Sequence, residues 1–267
     1  MLKAIRIIAY QNMPNYRKPA AIAIQDSYKL PPYSTVIGFI HTACGFTEYH
    51  PMRVSIAGRN KSSVVDMYTR YFHGGRKLEF GRHQLFTENN SGMGLGGFAD
   101  SLSGIPSEQE GRTGITRSLG YAQLMVDMEL AIYVVPDNPD ELEVIKNGLL
   151  NPVRYPALGR HEDILRLDNV EIVNLARQSD DDEDESQSFS MPYDALIPLD
   201  IYEELEIFVS GTVYNMNKVF KTDKTGKDPL RKITERVKAK LVKGGTTFTV
   251  NAYYDIYQGD KIGIFLA

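Results

Sequence analysis

The residues best suited to chemistry in this 267-residue chain are cations placed beside aromatic rings. Tyr16-Arg17-Lys18 and Tyr33-Ser34 flank a proline-broken segment. Arg76-Lys77-Leu-Glu-Phe80-Gly-Arg82-His83 is a basic cluster with a ring inside it. Arg and Lys meet phosphates, and exposed rings stack on unpaired bases. Ser34 stands at the start of a predicted helix, whose first N–H groups and dipole favour an anion. In Leu158-Gly159-Arg160-His161-Glu162-Asp163, a left-handed Gly159 would present Arg160 as a phosphate fork. The other reading of that stretch is a turn closed by ion pairs among Arg160, Glu162 and Asp163. The expected RNA-binding set is therefore Tyr16, Arg17, Lys18, Tyr33, Ser34, Arg76, Lys77, Arg82 and Arg160, with Phe80 as a further stacking ring. His83, next to Arg82 and close to Lys77, offers the alternative of a metal-independent endoribonuclease working by general acid and base.

Other chemistries find little support. His41, His50, His73, His83 and His161 show no HxxxH or HExxH spacing, so no metal site is expected. The single cysteine, Cys44, excludes an internal disulfide and a CxxC site; its expected role is a small buried hydrophobe. Gly92-Met-Gly94-Leu-Gly96-Gly97 fits GxGxxG in form, but it follows a polar stretch rather than a strand and opens no helix. Lys224-Thr-Gly226-Lys227 lacks the upstream glycine of a P-loop. No cofactor is expected.

Two elements near the start fix the chain's class. Leu2–Tyr10 alternates partially and reads as a strand, not as a leader peptide. Ser34 to Ala43 carries Val36, Ile37, Phe39 and Ile40 on one helical face, ended by Gly45. Met52–Ala57 and Val64–Phe72 read as strands. The polar, glycine-rich stretch from about 73 to 120 is too long for an ordinary loop and reads as an insertion. Tyr121–Val135 follows as one long strand, Pro139–Leu149 as a helix capped by Asp137 or Asn138, and Val170–Leu175 as a strand.

With Val64–Phe72 set aside as an extra strand, the order is βαββαβ. The expected fold is α+β, with a ferredoxin-like (RRM-like) N-terminal domain over 1–178. Such a sheet carries helices on one face and leaves the other free to bind RNA. Residues 179–189 are expected as an acidic loop. Residues 190–267 are expected as a small antiparallel β subdomain, with strands at Ile201–Val213, Thr246–Tyr257 and Lys261–Leu266 and an ambiguous stretch at Arg231–Leu241.

Charge is unevenly spread. Residues 1–120 carry 14 Lys or Arg against 8 acids, 121–212 carry 5 against 21, and 213–267 carry 11 against 5. A polyanion would be attracted by both ends and repelled by the middle. The acidic run Asp180 to Glu185 reads as solvated. No apolar run approaches the roughly 20 residues of a membrane helix, and the expected location is cytoplasmic.

The residues also resemble a known family. Leu30-Pro-Pro-Tyr-Ser-Thr-Val-Ile-Gly38 looks like the proline-then-helix signature of the CRISPR-associated Cas-five family, a RAMP-superfamily group. Tyr10-Gln-Asn-Met-Pro-Asn-Tyr-Arg-Lys18 and Ala43-Cys-Gly-Phe-Thr-Glu-Tyr-His-Pro-Met52 are most similar to its type I-B branch. Ala157-Leu-Gly-Arg-His-Glu-Asp163 is similar to the family's downstream LGR element. The resemblance reaches about residue 175. It implies that 73–120 is a thumb-like insertion meeting a neighbouring subunit. It also implies a subunit of a type I effector (Cascade) complex that holds the 5′ handle of the guide RNA for antiviral DNA targeting. Implied partners are the repeated backbone subunit, the large subunit and, indirectly, target DNA and a helicase–nuclease. Members that cleave precursor RNA use a Tyr and an adjacent Lys-His pair, and this sequence has no such pair.

Overall fold

The computed structural model describes residues 2–21, 24–77, 85–87, 95–97, 113–177, 189–204, 210–223, 230–248 and 252–267. Phe80, Arg82, His83, the acidic run 180–185 and the Lys224–Lys227 motif lie outside the described residues. The chain divides into two compact units: Met1–Ala20, Asp26–Val64 and Leu124–Ala267 in the first, Ala21–Gln25 and Val65–Gln123 in the second.

In chain order the elements begin β1 (Leu2–Gln11), β2 (Ile24–Gln25), α1 (Tyr33–Cys44), β3 (Met52–Arg59), β4 (Ser62–Lys77), β5 (Leu85–Thr87) and β6 (Leu95–Gly97). They continue with β7 (Thr113–Val126), β8 (Met128–Pro136), α2 (Glu141–Leu150), β9 (Arg166–Arg177), β10 (Phe189–Ser190) and β11 (Asp194–Pro198). The last are α3 (Leu199–Glu204), β12 (Thr212–Asp223), β13 (Leu230–Val242), β14 (Thr247–Phe248), β15 (Tyr253–Tyr257) and β16 (Asp260–Ile264). No described helix is long and apolar enough to cross a membrane.

The first unit is built on a nine-stranded sheet in the order β12-β13-β11-β3-β8-β1-β9-β15-β16. Its middle strands, β3-β8-β1-β9, are antiparallel throughout. The C-terminal strands do not stand apart as a small subdomain. β11, β13 and β12 extend the sheet beyond β3, while β15 and β16 extend it beyond β9. The stretch that was ambiguous by sequence, β13, is a strand because its apolar residues recur every second position. Val237, Ala239 and Leu241 join the core beneath α1, while Lys238 and Lys240 point the other way.

Both faces of the sheet's middle strands β3, β8 and β1 are covered. On one, Ile5, Ile7, Val54, Ile56, Ile132 and Val134 pack against Val36 and Ile40 of α1 and Ile145 of α2. On the other, Ala4, Tyr133, Ala195 and Ile197 pack with Ile262, Ile264 and Phe265 from the C-terminal end. The open binding face expected from the sequence is therefore absent among the described residues. The physical signal lies in β1 itself, where Ala4 through Ile7 are all buried. A strand buried on both sides loses the polar-out alternation of a half-exposed one.

On the second face Arg6 is held by Asp255 (2.8 Å), Asn169 (3.2 Å) and Glu171. Its guanidinium lies over the Tyr257 ring at 4.8 Å. Tyr133 donates its hydroxyl to the same Asp255 oxygen at 3.0 Å. This cluster ties β15 to the central strands.

Local boundaries differ from expectation for identifiable reasons. Pro32 rather than Ser34 caps α1: its backbone is extended, with ψ 152°, and Tyr33 is the first helical residue. Gly45 ends the helix at φ 71°. Asp127, at φ 51°, breaks the expected 121–135 strand into β7 and β8. The helix α2 starts at Glu141 with Asp140 as its cap. Residues 201–204 are helical, in α3, not the start of a strand.

The second unit is a sheet in the order β2-β7-β5-β6, with β4 also pairing β7. Leu95–Gly97 of the glycine-rich motif pairs with Leu85–Thr87 as a hairpin strand. A cradle for a dinucleotide would instead be a loop opening a helix.

Candidate nucleic-acid interface

Tyr16 and Tyr33 do not offer their rings to a ligand. Tyr16 is 1% exposed and Tyr33 is 0% exposed, so both belong to the core. Their expected role as stacking platforms is corrected by that burial. The Tyr16 hydroxyl donates to Gln11 Oε1 at 2.7 Å, and Gln11 Nε2 donates to the carbonyls of Leu158 and Asp163, both at 2.9 Å. Burial pushes the Tyr16 phenol well above its ordinary range, so it keeps its proton and remains a donor.

Arg160 follows the second of the two readings given above. Its guanidinium reaches Asp163 at 2.6 Å and Glu162 at 3.2 Å. The Asp163 carboxylate also accepts the backbone N–H of Arg160 and of Asn15, each at 2.9 Å. Gly159 does take a positive φ of 110°. A Cβ there would meet the Asn15 carbonyl and Asp163 Oδ2 at 2.9 Å, so the glycine closes the turn instead of displaying Arg160. The residues 11–16 and 158–163 thus form one hydrogen-bonded knot.

Arg17 and Lys18 remain at the surface. The Arg17–Ser27 bridge and the Lys18 N–H to Asp26 carbonyl bond (2.9 Å) fix their backbone. Lys18 Nζ lies 3.8 Å from Asp26. Arg76 and Lys77 end β4 in the second unit.

Of the RNA-binding set read from the sequence, Ser34 alone lines the feature most suited to a polyanion. Within the first unit, a groove of about 1210 Å³ runs between α1, residues 46–49, residues 154–161 and the β12–β13 hairpin. Among the described residues, four Lys or Arg line it, namely Arg154, Lys218, Lys221 and Arg231, against a single acid, Glu48. Ser34 and Gly159 line it too, so Ser34 is the predicted site residue that reaches it. Lys218 is tied to Glu235 at 2.8 Å. Arg231 lies over the Phe220 ring at 4.8 Å. Lys221 stands directly across from Lys232 in the register, a pairing that costs stability unless an anion relieves it.

Rings stand along the groove as well. Tyr49 stacks on His41 with centroids 5.7 Å apart and planes at 10°, and it is 45% exposed. Tyr155 is 60% exposed. The signal that would have found this site was the basic block at 213–267. The β12–β13 hairpin alone holds seven Lys or Arg and two acids.

His41 is a fixed part of the groove wall. Its Nδ1 bonds the Ile37 carbonyl at 2.8 Å, and its Nε2 accepts the His50 N–H at 2.9 Å. The Nε2 bond requires the neutral ring, whereas the Nδ1–H bond to the carbonyl favours the charged one; burial is the larger effect and lowers the pKa below the ordinary 6.5. Below pH 6.5 the unfolded chain takes up a proton that the folded ring refuses. Folding stability should therefore be flat above about pH 6.5 and fall as pH drops toward the lower folded value, on account of this residue. Melting curves of the wild type and His41→Gln between pH 5 and 7.5 check this, with the variant showing the shallower decline.

A family model described as "CRISPR-associated protein (Cas_Cas5)" matches residues 10–195. No curated protein matches the chain. Among solved structures, a chain of a "CRISPR RNA-guided surveillance complex" is similar over 92% of both chains, with 16% identity and a TM-score of 0.50. A CRISPR protein from Archaeoglobus fulgidus covers 98% of this chain and 99% of its own, at 10% identity and a TM-score of 0.38. A chain of a type III-B Cmr-beta complex bound to cognate target RNA covers 92% of this chain and 86% of its own, at 11% identity and a TM-score of 0.40.

Proposed function

The chain belongs to the CRISPR-associated Cas5 family, and on that premise we propose that it is a non-catalytic, RNA-binding subunit of a type I CRISPR effector complex. It holds the 5′ handle of the guide RNA and supports assembly for antiviral DNA targeting in the cytoplasm; the I-B branch is the one its sequence most resembles. The observation that carries this reading is the family match over residues 10–195. We read β1-α1-β3 and β8-α2-β9, with sheet order β3-β8-β1-β9, as a ferredoxin-like (RRM-like) unit. Because both faces of the middle strands are packed, RNA contacts fall to surface cations, with Arg17, Lys18, Arg76 and Lys77 kept from the set read from the sequence and Ser34 in the groove.

The second unit supplies the thumb-like insertion. On β4, Val65, Met67 and Tyr71 share one face by alternation and are all exposed. Gly120 of β7 lies against Tyr68 and Arg70 on the opposite face, which puts the exposed Leu119 and Tyr121 with Val65, Met67 and Tyr71. An uncovered apolar sheet face of this kind suits a protein partner, the backbone subunit, with the large subunit elsewhere on the chain.

Replacing Arg17 and Lys18 together with alanine should weaken handle binding and flatten the slope of log affinity against log salt by about 1.4, from roughly 0.7 per lost phosphate contact. Anisotropy titrations of labelled handle RNA between 50 and 300 mM salt measure both (salt range chosen to span about one decade of effect). An unchanged slope would remove these two residues from the site.

A further inference from the structure

We infer that the groove between α1 and the β12–β13 hairpin is a binding site for a short unpaired RNA segment, separate from the Arg17–Lys18 surface; the inference rests on the RNA-binding reading given above. Three observations carry it.

The first is charge. Among the described residues the lining holds four Lys or Arg, of which Lys218 is paired with Glu235, and one acid; this is complementary to phosphates, although the whole chain has a net charge of −4. Lys221 and Lys232, paired across the hairpin, keep like charges side by side in the absence of an anion.

The second is the placement of rings. Tyr49 is backed by His41 and half exposed, and Tyr155 is exposed on another wall. A ring braced from behind gives a base a preordered surface to stack on. Only unpaired bases present the faces such rings need, so the ligand is single-stranded.

The third is size. Small-molecule pockets hold about 300–1,000 Å³. This groove, at about 1210 Å³, suits a stretch of polymer.

The test uses the full chain with a labelled ten-nucleotide oligouridine and, separately, a ten-base-pair RNA duplex. The wild type should prefer the single strand at least about tenfold, as stacking on one or two rings implies. The double variant Lys221→Ala/Arg231→Ala should bind the single strand about tenfold less tightly and lower the salt slope by about 1.4. Tyr155→Ala should weaken binding about tenfold without altering the slope. These side chains are exposed or half-exposed, and unchanged melting curves would confirm intact folding.

If the wild type binds RNA and the groove variants match it in affinity and slope, the groove assignment falls while the proposed function stands. If the wild type binds no RNA, both fall. Equal binding of the duplex, or displacement of the RNA by polyglutamate at matched charge, would overturn the assignment in favour of a generic cationic surface or an acidic polypeptide.

Discussion

Replacing Asp163 with alanine should lower folding stability by about 3–5 kcal/mol, from two backbone N–H donors that lose their acceptor at about 1–3 kcal/mol each and one lost charged hydrogen bond. The carboxylate is a hub. It accepts two backbone N–H groups, from Asn15 and Arg160, and the Arg160 guanidinium. The variant removes the acceptor of both backbone N–H groups, leaves the Arg160 guanidinium paired with Glu162, and loosens the 11–16 segment that Gln11 and Tyr16 anchor. Asp163→Asn keeps one oxygen and should cost less than half as much. Urea denaturation measures both, and a loss under about 1 kcal/mol for the alanine variant would contradict the hub role. Gly159→Ala should follow in the same direction, because the added Cβ would crowd the Asn15 carbonyl at 2.9 Å.

The second large effect is expected at the other end of the chain. Asp255→Ala should also cost about 3–5 kcal/mol, because Arg6 is then a buried charge whose remaining carboxylate partner, Glu171, is half exposed. The Tyr133 hydroxyl loses its acceptor in the same step. The double variant Arg6→Met/Asp255→Leu should recover most of that loss, since two apolar side chains of similar size need no charge partner. If the double variant is as unstable as Asp255→Ala, packing around the hairpin, not charge, holds β15 in place. Binding by Arg17 and Lys18 should be unaffected in both, provided the protein remains folded.

The two variants also show which parts of the fold could be read from sequence. Helical periodicity located α1 and α2, and short runs rich in β-branched residues located β1, β3 and β9. The break at Asp127 was visible as an acid inside an apolar run, but its left-handed backbone depends on the surrounding chain. Its carboxylate is held by Tyr10 and Lys61. These partners are distant in sequence, so no local pattern announces them. The destination of the C-terminal strands was hidden for the same reason. Val237, Ala239 and Leu241 alternate clearly, yet alternation does not say which sheet a strand joins.

The site was less legible than the fold. Tyr16, Tyr33 and Arg160 have side chains that suit RNA, but composition does not reveal burial. Tyr33 follows Pro31-Pro32 into the first turn of α1, where its ring enters the core. Arg160 has Glu162 and Asp163 within three residues, and that proximity was the better guide to its role. The groove was the converse case. Its residues come from three distant segments near 34–49, 154–161 and 217–233. Only the charge of the last block hinted at it.

Whether this chain grips the 5′ handle of a guide RNA is decided by the purified protein's affinity for a guide RNA with and without that handle. A loss of at least about tenfold on removing the handle, of the size one stacked base supplies, is the predicted result. Equal affinity for the two RNAs would contradict it.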